Sequence, residues 1–145
     1  MSTLYRATGD QLDASTLYAL LRLRVDVFVV EQESPYPDLD GRDLDPVTRH
    51  LWFAEADGAP LSYLRLLIEP DGATIRVGRV VTRADVRGKG LSRELMREAL
   101  TDIGDAPSVL DAQTTVTGFY ASFGYRITGP EFLDGGVPHV QMSRP

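Results

Sequence analysis

Apolar residues recur along this chain with two periods, and the switches between them divide it into elements. Leu17, Leu20, Leu21 and Val25 return at helical spacing, behind cap candidates in Asp13 to Thr16. Val27 to Val30 is apolar and mostly β-branched, which leaves the end of that helix open. Ser34 to Pro46 is polar and holds Pro35 and Pro37, so it predicts an ordered loop. Three strand patterns follow: His50 to Ala56, Leu61 to Ile68 and Ala73 to Thr82. Asp57-Gly58 and Pro70-Asp71-Gly72 supply the turns of an antiparallel meander. A loop, Arg83 to Gly90, leads into a helix from Leu91 to about Ile103. Leu91, Leu95, Met96, Ala99, Leu100 and Ile103 share one half of it, and Gly104 ends it. Ser108 to Ala112 predicts a strand, and Val116 to Phe123 a short helix stopped by Gly124. Tyr125 to Ile127 and Val137 to Ser143 form a last antiparallel pair, joined by Gly129 to Pro138. This order predicts one α+β domain over residues 1–145, with a mixed, mostly antiparallel sheet flanked by helices.

Composition narrows the chemistry. There is no Cys and no Asn, only two His (His50 and His139), and Lys89 stands beside fourteen Arg. Without Cys there is no disulfide, thiolate metal site or Cys nucleophile. Two His argue against a His-rich zinc site, and the expectation is no metal. No GxSxG pattern marks a serine nucleophile. The first thirteen residues lack a signal-peptide pattern, and no stretch approaches the roughly twenty apolar residues of a membrane span. The expectation is a cytoplasmic protein with no membrane partner.

The net charge of −6 is unevenly spread. Asp26 to Asp45 carries seven acids and one base, whereas Arg76 to Arg97 carries seven bases and two acids. The acid overall balance and sparse aromatic interleaving argue against a nucleic-acid partner. The basic segment points to an anion site, and the acidic one to a surface attracting a cationic or amine-bearing acceptor.

The anion site has a shape. Val80, Val81 and Thr82 end an apolar strand, and Arg87-Gly88-Lys89-Gly90-Leu91-Ser92 opens an amphipathic helix. The first N–H groups of a helix lack intrahelical partners and carry the positive end of its dipole. Gly88 and Gly90 allow close approach of an anion to the backbone, and Arg87 and Lys89 add charge. The Walker pattern is absent, and GxGxxG fails because Arg93 occupies the third glycine position.

Arg87-Gly88-Lys89-Gly90-Leu91-Ser92 resembles the R/Q-x-x-G-x-G/A segment of GNAT-family acyltransferases, with Ser92 in place of the final Gly or Ala. The order of elements is similar over nearly the whole chain. Val27-Phe28-Val29-Val30-Glu31-Gln32, Pro35-Tyr36 and Asp40-Gly41-Arg42-Asp43 resemble the N-terminal signature of the family's ElaA-like branch. Asp111-Ala112-Gln113, Phe119-Tyr120, Phe123-Gly124-Tyr125 and Gly136-Val137-Pro138-His139 resemble its C-terminal one.

The resemblance implies a GNAT-like acyl-CoA N-acyltransferase fold that binds acetyl-CoA as acyl donor. It implies that Arg87 to Ser92 hold the pyrophosphate, while main-chain groups at Val80 to Thr82 meet the pantetheine arm where the sheet splays. It implies Tyr120 as the acid that protonates the leaving thiolate. A Tyr, with a reference pKa of about 10, keeps its proton for that role. The reaction implied is direct transfer of an acetyl group to a primary amine of a small molecule or peptide. A homodimer is a common assembly in the family.

The acceptor side stays open at this level. Glu31, Glu33, Asp40, His50 and His139 are candidate bases. Arg65 and Arg79 interrupt apolar strands; they read as solvent-facing positions or as a bidentate clamp for a substrate carboxylate. A binding module that senses acyl-CoA without turnover is the alternative reading of the same loop.

Overall fold

A computed structural model describes residues 2–145. β1 (Thr3–Thr8) precedes α1 (Ala14–Val25), which runs on into a π-helical segment, Asp26–Glu31. The meander is β2 (Arg49–Ala54), β3 (Pro60–Ile68) and β4 (Ile75–Thr82). After it come α2 (Leu91–Ile103), β5 (Ser108–Gln113) and α3 (Thr117–Ala121). β6 (Arg126–Ile127), β7 (Phe132–Asp134) and β8 (Val137–Arg144) close the chain. The sheet order is β1-β2-β3-β4-β5-β8-β6, with β7 also paired to β8. All neighbours are antiparallel except β4 and β5.

Each face of the sheet buries its own apolar cluster. On one face α2 inserts Leu95, Met96, Ala99 and Ile103 against Leu51, Leu64, Leu66, Leu110 and Met142. On the other, Leu20, Leu23 and Val27 cover Trp52, Tyr63 and Val81. α1 starts where expected, because the Asp13 carboxylate accepts the Thr16 N–H at 2.7 Å. Its far end does not stop at Val25. The Gln32 N–H donates to Val27 O at 3.2 Å and the Ser34 N–H to Val29 O at 3.0 Å, bonds spanning five residues. Such π turns frequently sit at functional sites.

Two strands escape the apolar pattern. β1 is a six-residue edge strand whose Arg6 is tied to α2 by Glu98 at 2.6 Å and Asp102 at 2.9 Å. β7 is three exposed residues inside the predicted Gly129–Pro138 connection, and it exists through pairing with β8. The short helix is also smaller than predicted, because Thr114–Val116 forms a 3₁₀ turn ahead of it. Among the described residues, no helix is long and apolar enough to cross a membrane.

Candidate functional site

β4 and β5 run parallel yet pair only at Ile75–Ser108 and Arg76–Val109. Beyond these pairs the strands part, and a cleft of about 490 Å³ opens between them. Val80, Val81 and Thr82 on one side and Leu110, Asp111 and Gln113 on the other face into it. The β4 edge therefore offers main-chain donors and acceptors with no strand opposite them, a ready binding edge for an amide-bearing arm. A bulge supports the divergence: Tyr63 pairs with Val81 but Arg65 pairs with Gly78, so β4 holds an extra residue. Arg79 sits within it at φ 54°, a conformation that L-residues adopt at a cost.

The basic loop lies at the mouth of this cleft. Gly88 and Gly90 have φ of 77° and 82°, and a β-carbon on either would meet nothing within 4 Å. Conformation demands glycine there, and the vacant space leaves the backbone approachable. No side chain caps the N-terminus of α2. Ser92 Oγ and Thr82 Oγ1 hydrogen-bond, which pins the start of α2 to the end of β4. A subsidiary hollow of about 220 Å³ contacts Thr82, Arg87, Gly88, Gly90, Leu91 and Ser92. Exposed N–H groups, an uncapped helix start, Arg87 and exposed Lys89 together fit a diphosphate. Arg87 already has an anionic partner, however: its Nη1 and Nη2 reach Glu31 Oε2 and Oε1 at 2.6 and 2.8 Å. Its Nε donates to Thr82 O at 3.0 Å.

Tyr120 lines the cleft and is 8% exposed. Burial pushes its hydroxyl pKa well above the ordinary tyrosine value, so the group stays protonated. Phe119 and Tyr125 meet its ring edge-on at 5.1 and 6.3 Å. Neighbouring Tyr125 donates to or accepts from Ser108 Oγ at 2.7 Å, whereas the Tyr120 hydroxyl has no hydrogen-bond partner among the described residues. Its polar end is free for a ligand.

Arg65 is not solvent-facing. It is 2% exposed, because α1 and the Ser34–Thr48 loop cover that face of the sheet. There it joins a charged cluster. Arg24 Nε and Nη1 reach Asp38 at 3.0 Å and Asp43 at 2.6 Å. Arg65 Nη1 reaches Asp40 and Asp43, both at 2.9 Å, and Nη2 bonds Asp40 Oδ2. Arg79 lies 2.9 Å from Asp38 Oδ1, donates to Asp38 O at 3.0 Å, and stacks over Tyr36 at 5.7 Å. Three guanidiniums thus neutralise three carboxylates. Burial alone would raise the Asp40 and Asp43 pKa values, but Arg65 and Arg24 overcome it and hold both below the usual carboxylate range.

This cluster corrects one expectation drawn from the sequence and limits another. The terminal nitrogens of Arg65 are spent on Asp40 and Asp43, so they do not form an open clamp with Arg79. Asp38 and Asp43 are buried and Asp40 is held by Arg65, so three of the seven acids are committed to arginines, while Asp26, Glu31, Glu33 and Asp45 are exposed. Arg24 carries the missed signal: it is a lone cation on the same buried helix face as Leu20, Leu23 and Val27.

The candidate bases separate on geometry. His50 is 1% exposed; Nε2 meets Asp43 O at 2.9 Å and Nδ1 meets Tyr63 Oη at 2.6 Å. Burial lowers its pKa and both nitrogens are occupied. Asp40 is held by Arg65, and Glu31 is held by Arg87, which lowers the Glu31 pKa. Glu33 does not line the cleft. Glu31 and His139 do. His139 Nδ1 meets Val137 O at 2.7 Å, and Phe132 stacks on the ring at 5.8 Å. Opposite His139 on β5 is Gln113, whose Nε2 donates to Gln32 Oε1 at 3.2 Å. Ser34 Oγ donates to Gly135 O at 2.5 Å. The first bond ties β5, and the second the β7–β8 hairpin, to the segment after α1. Among the described residues no group of three or more His, Asp or Glu is placed to hold a metal ion.

Residues 26–144 match the family model described as an acetyltransferase (GNAT) domain. A UPF0039 protein of Mycobacterium tuberculosis is 50% identical over 144 residues, covering 98% of this chain and 92% of that protein. Protein ElaA of Escherichia coli is 37% identical over 140 residues, covering 93% and 91%. Among solved structures, an acyl-CoA N-acyltransferase from Pseudomonas aeruginosa superposes over the full length of both chains, with TM-score 0.93 and 37% identity. The crystal structure of Escherichia coli ElaA does so as well, with TM-score 0.93 and 35% identity.

Proposed function

The chain belongs to the GNAT acetyltransferase family, and from that premise we propose that it transfers an acetyl group from acetyl-CoA to a primary amine by direct attack. The observation that carries this reading is the parting of β4 from β5 beyond Arg76–Val109, with Arg87 and Ser92 of the glycine loop and Tyr120 all lining the cleft so formed. Gly88, Gly90, the start of α2, Arg87 and Lys89 would hold the pyrophosphate. Val80 to Thr82 would bind the pantetheine amides through their free edge, leaving the thioester near Tyr120. An amine entering past the π segment would attack the thioester carbonyl carbon. The C–S bond would break as the Tyr120 hydroxyl gives its proton to sulfur, and coenzyme A would leave as a thiol. No covalent acyl-enzyme is needed.

The test is release of free thiol from acetyl-CoA in the presence of lysine, glucosamine, spermidine and phenethylamine, with propionyl-CoA and longer donors in parallel. Amine-dependent release with one of these acceptors is expected. Saturable acetyl-CoA binding without thiol release on any amine would identify an acyl-CoA-binding module instead.

A further inference from the structure

We infer that His139 is the general base that deprotonates the incoming amine, an assignment that rests on the acyltransferase reading above. The tautomer follows from its partners. Val137 O, 2.7 Å from Nδ1, can only accept, so Nδ1 carries the hydrogen. In the neutral ring Nε2 then holds the lone pair, and it has no hydrogen-bond partner among the described residues. Phe132 on β7 fixes the plane of the ring by stacking at 26°. His50 shows the contrasting arrangement: Asp43 O fixes its hydrogen on Nε2, and its lone pair on Nδ1 accepts from Tyr63. Of the two histidines, only His139 has an unspent basic nitrogen and a place on the cleft.

The carboxylates that also line the cleft are engaged by arginines or lack an orienting bond. Glu31, on the π segment, is engaged by both terminal nitrogens of Arg87. Asp111, on β5, is 3.1 Å from Arg76 of β4. Asp134, on β7, is exposed at the rim and lacks the orienting bond that His139 has.

An ammonium N–H proton passes to His139 Nε2, leaving a free amine and an imidazolium. The amine lone pair forms the N–C bond, and the C–S bond breaks as Tyr120 protonates sulfur. The tetrahedral nitrogen then returns a proton to the Tyr120 oxygen, and the imidazolium releases its proton to water.

Two measurements test this, using the fastest amine of the panel. First, His139→Gln is expected to lower kcat by about 10²-fold, with the KM for acetyl-CoA changed less than twofold. In the parent, kcat/KM is expected to reach a plateau below the amine's own pKa. In the variant it is expected to rise continuously toward the amine's own pKa. Second, diethylpyrocarbonate on the unmodified protein is expected to acylate one histidine, His139, with loss of activity in step and recovery on hydroxylamine treatment. His139→Gln with unchanged kcat and pH profile, or full activity after His139 is acylated, overturns the assignment while leaving the transferase reading intact. If no amine releases thiol, the transferase reading fails and the assignment falls with it.

Discussion

The Arg87 guanidinium grips both carboxylate oxygens of Glu31, joining the first residue of the anion loop to the π segment 56 positions earlier. A pyrophosphate that recruits Arg87 must displace Glu31. The pair is exposed, so its net strength is small and falls with salt. Glu31→Gln should therefore tighten acetyl-CoA binding about two- to fivefold at low ionic strength, whereas Arg87→Ala should weaken it. Titration calorimetry at two salt concentrations reads both effects. Weaker binding by Glu31→Gln would mean that the carboxylate orients Arg87 for the ligand.

Tyr120 separates packing from chemistry cleanly. Its ring is buried among Phe119 and Tyr125, but its hydroxyl has no hydrogen-bond partner among the described residues. Tyr120→Phe should leave the melting temperature nearly unchanged and lower kcat roughly 10²-fold, with little change in the KM for acetyl-CoA. An unaltered kcat would remove the acid role.

The positive φ values at Gly88 and Gly90 make alanine costly there for conformational reasons, since no neighbour would clash. Gly88→Ala and Gly90→Ala should each destabilise the ligand-competent loop by roughly 1 kcal/mol, weakening acetyl-CoA binding about fivefold. Thermal stability without ligand should change less than the affinity does.

Acid should lower the stability of the fold over two pH ranges, for two kinds of buried group. His50 has a folded-state pKa below its unfolded value of about 6.5. Its contribution is complete above that pH and is lost as pH falls below it, because the unfolded chain binds the proton more readily. Asp40 and Asp43 also have depressed folded-state values. Their contribution is complete above about pH 4 and fades as pH falls through the depressed range. Denaturant unfolding at pH 7.5, 5.5 and 3.5, chosen about those reference values, should show both losses. Asp43→Ala should cost roughly 3–5 kcal/mol at neutral pH, because it leaves Arg24 and Arg65 buried with one carboxylate fewer. A loss under about 1 kcal/mol would show that water or a neighbour compensates them.

The sequence by itself determined the meander, the amphipathic α2 and the glycine loop at its start. Each is written in local terms: period-2 runs with turn residues, a 3.6-residue apolar stripe ended by Gly104, and two glycines where φ must be positive. Motif resemblance carries the family and the role expected of Tyr120, on a short helix that the pattern itself predicts. Tertiary structure alone decided the rest. β1 and β7 have too little apolar signal of their own and exist because Ala54 to Arg49 and His139 to Val137 offer them hydrogen-bond partners. Arg65 looks like any solvent-facing strand residue until Asp40 and Asp43 fold over it. The same holds for the bases. Along the chain Glu31, His50 and His139 are all candidate bases, and only their partners in space, Arg87, Tyr63 with Asp43, and Val137, decide which of them is already engaged. A residue's identity sets the chemistry it can perform, but the contacts of the folded chain determine whether that capacity is already used.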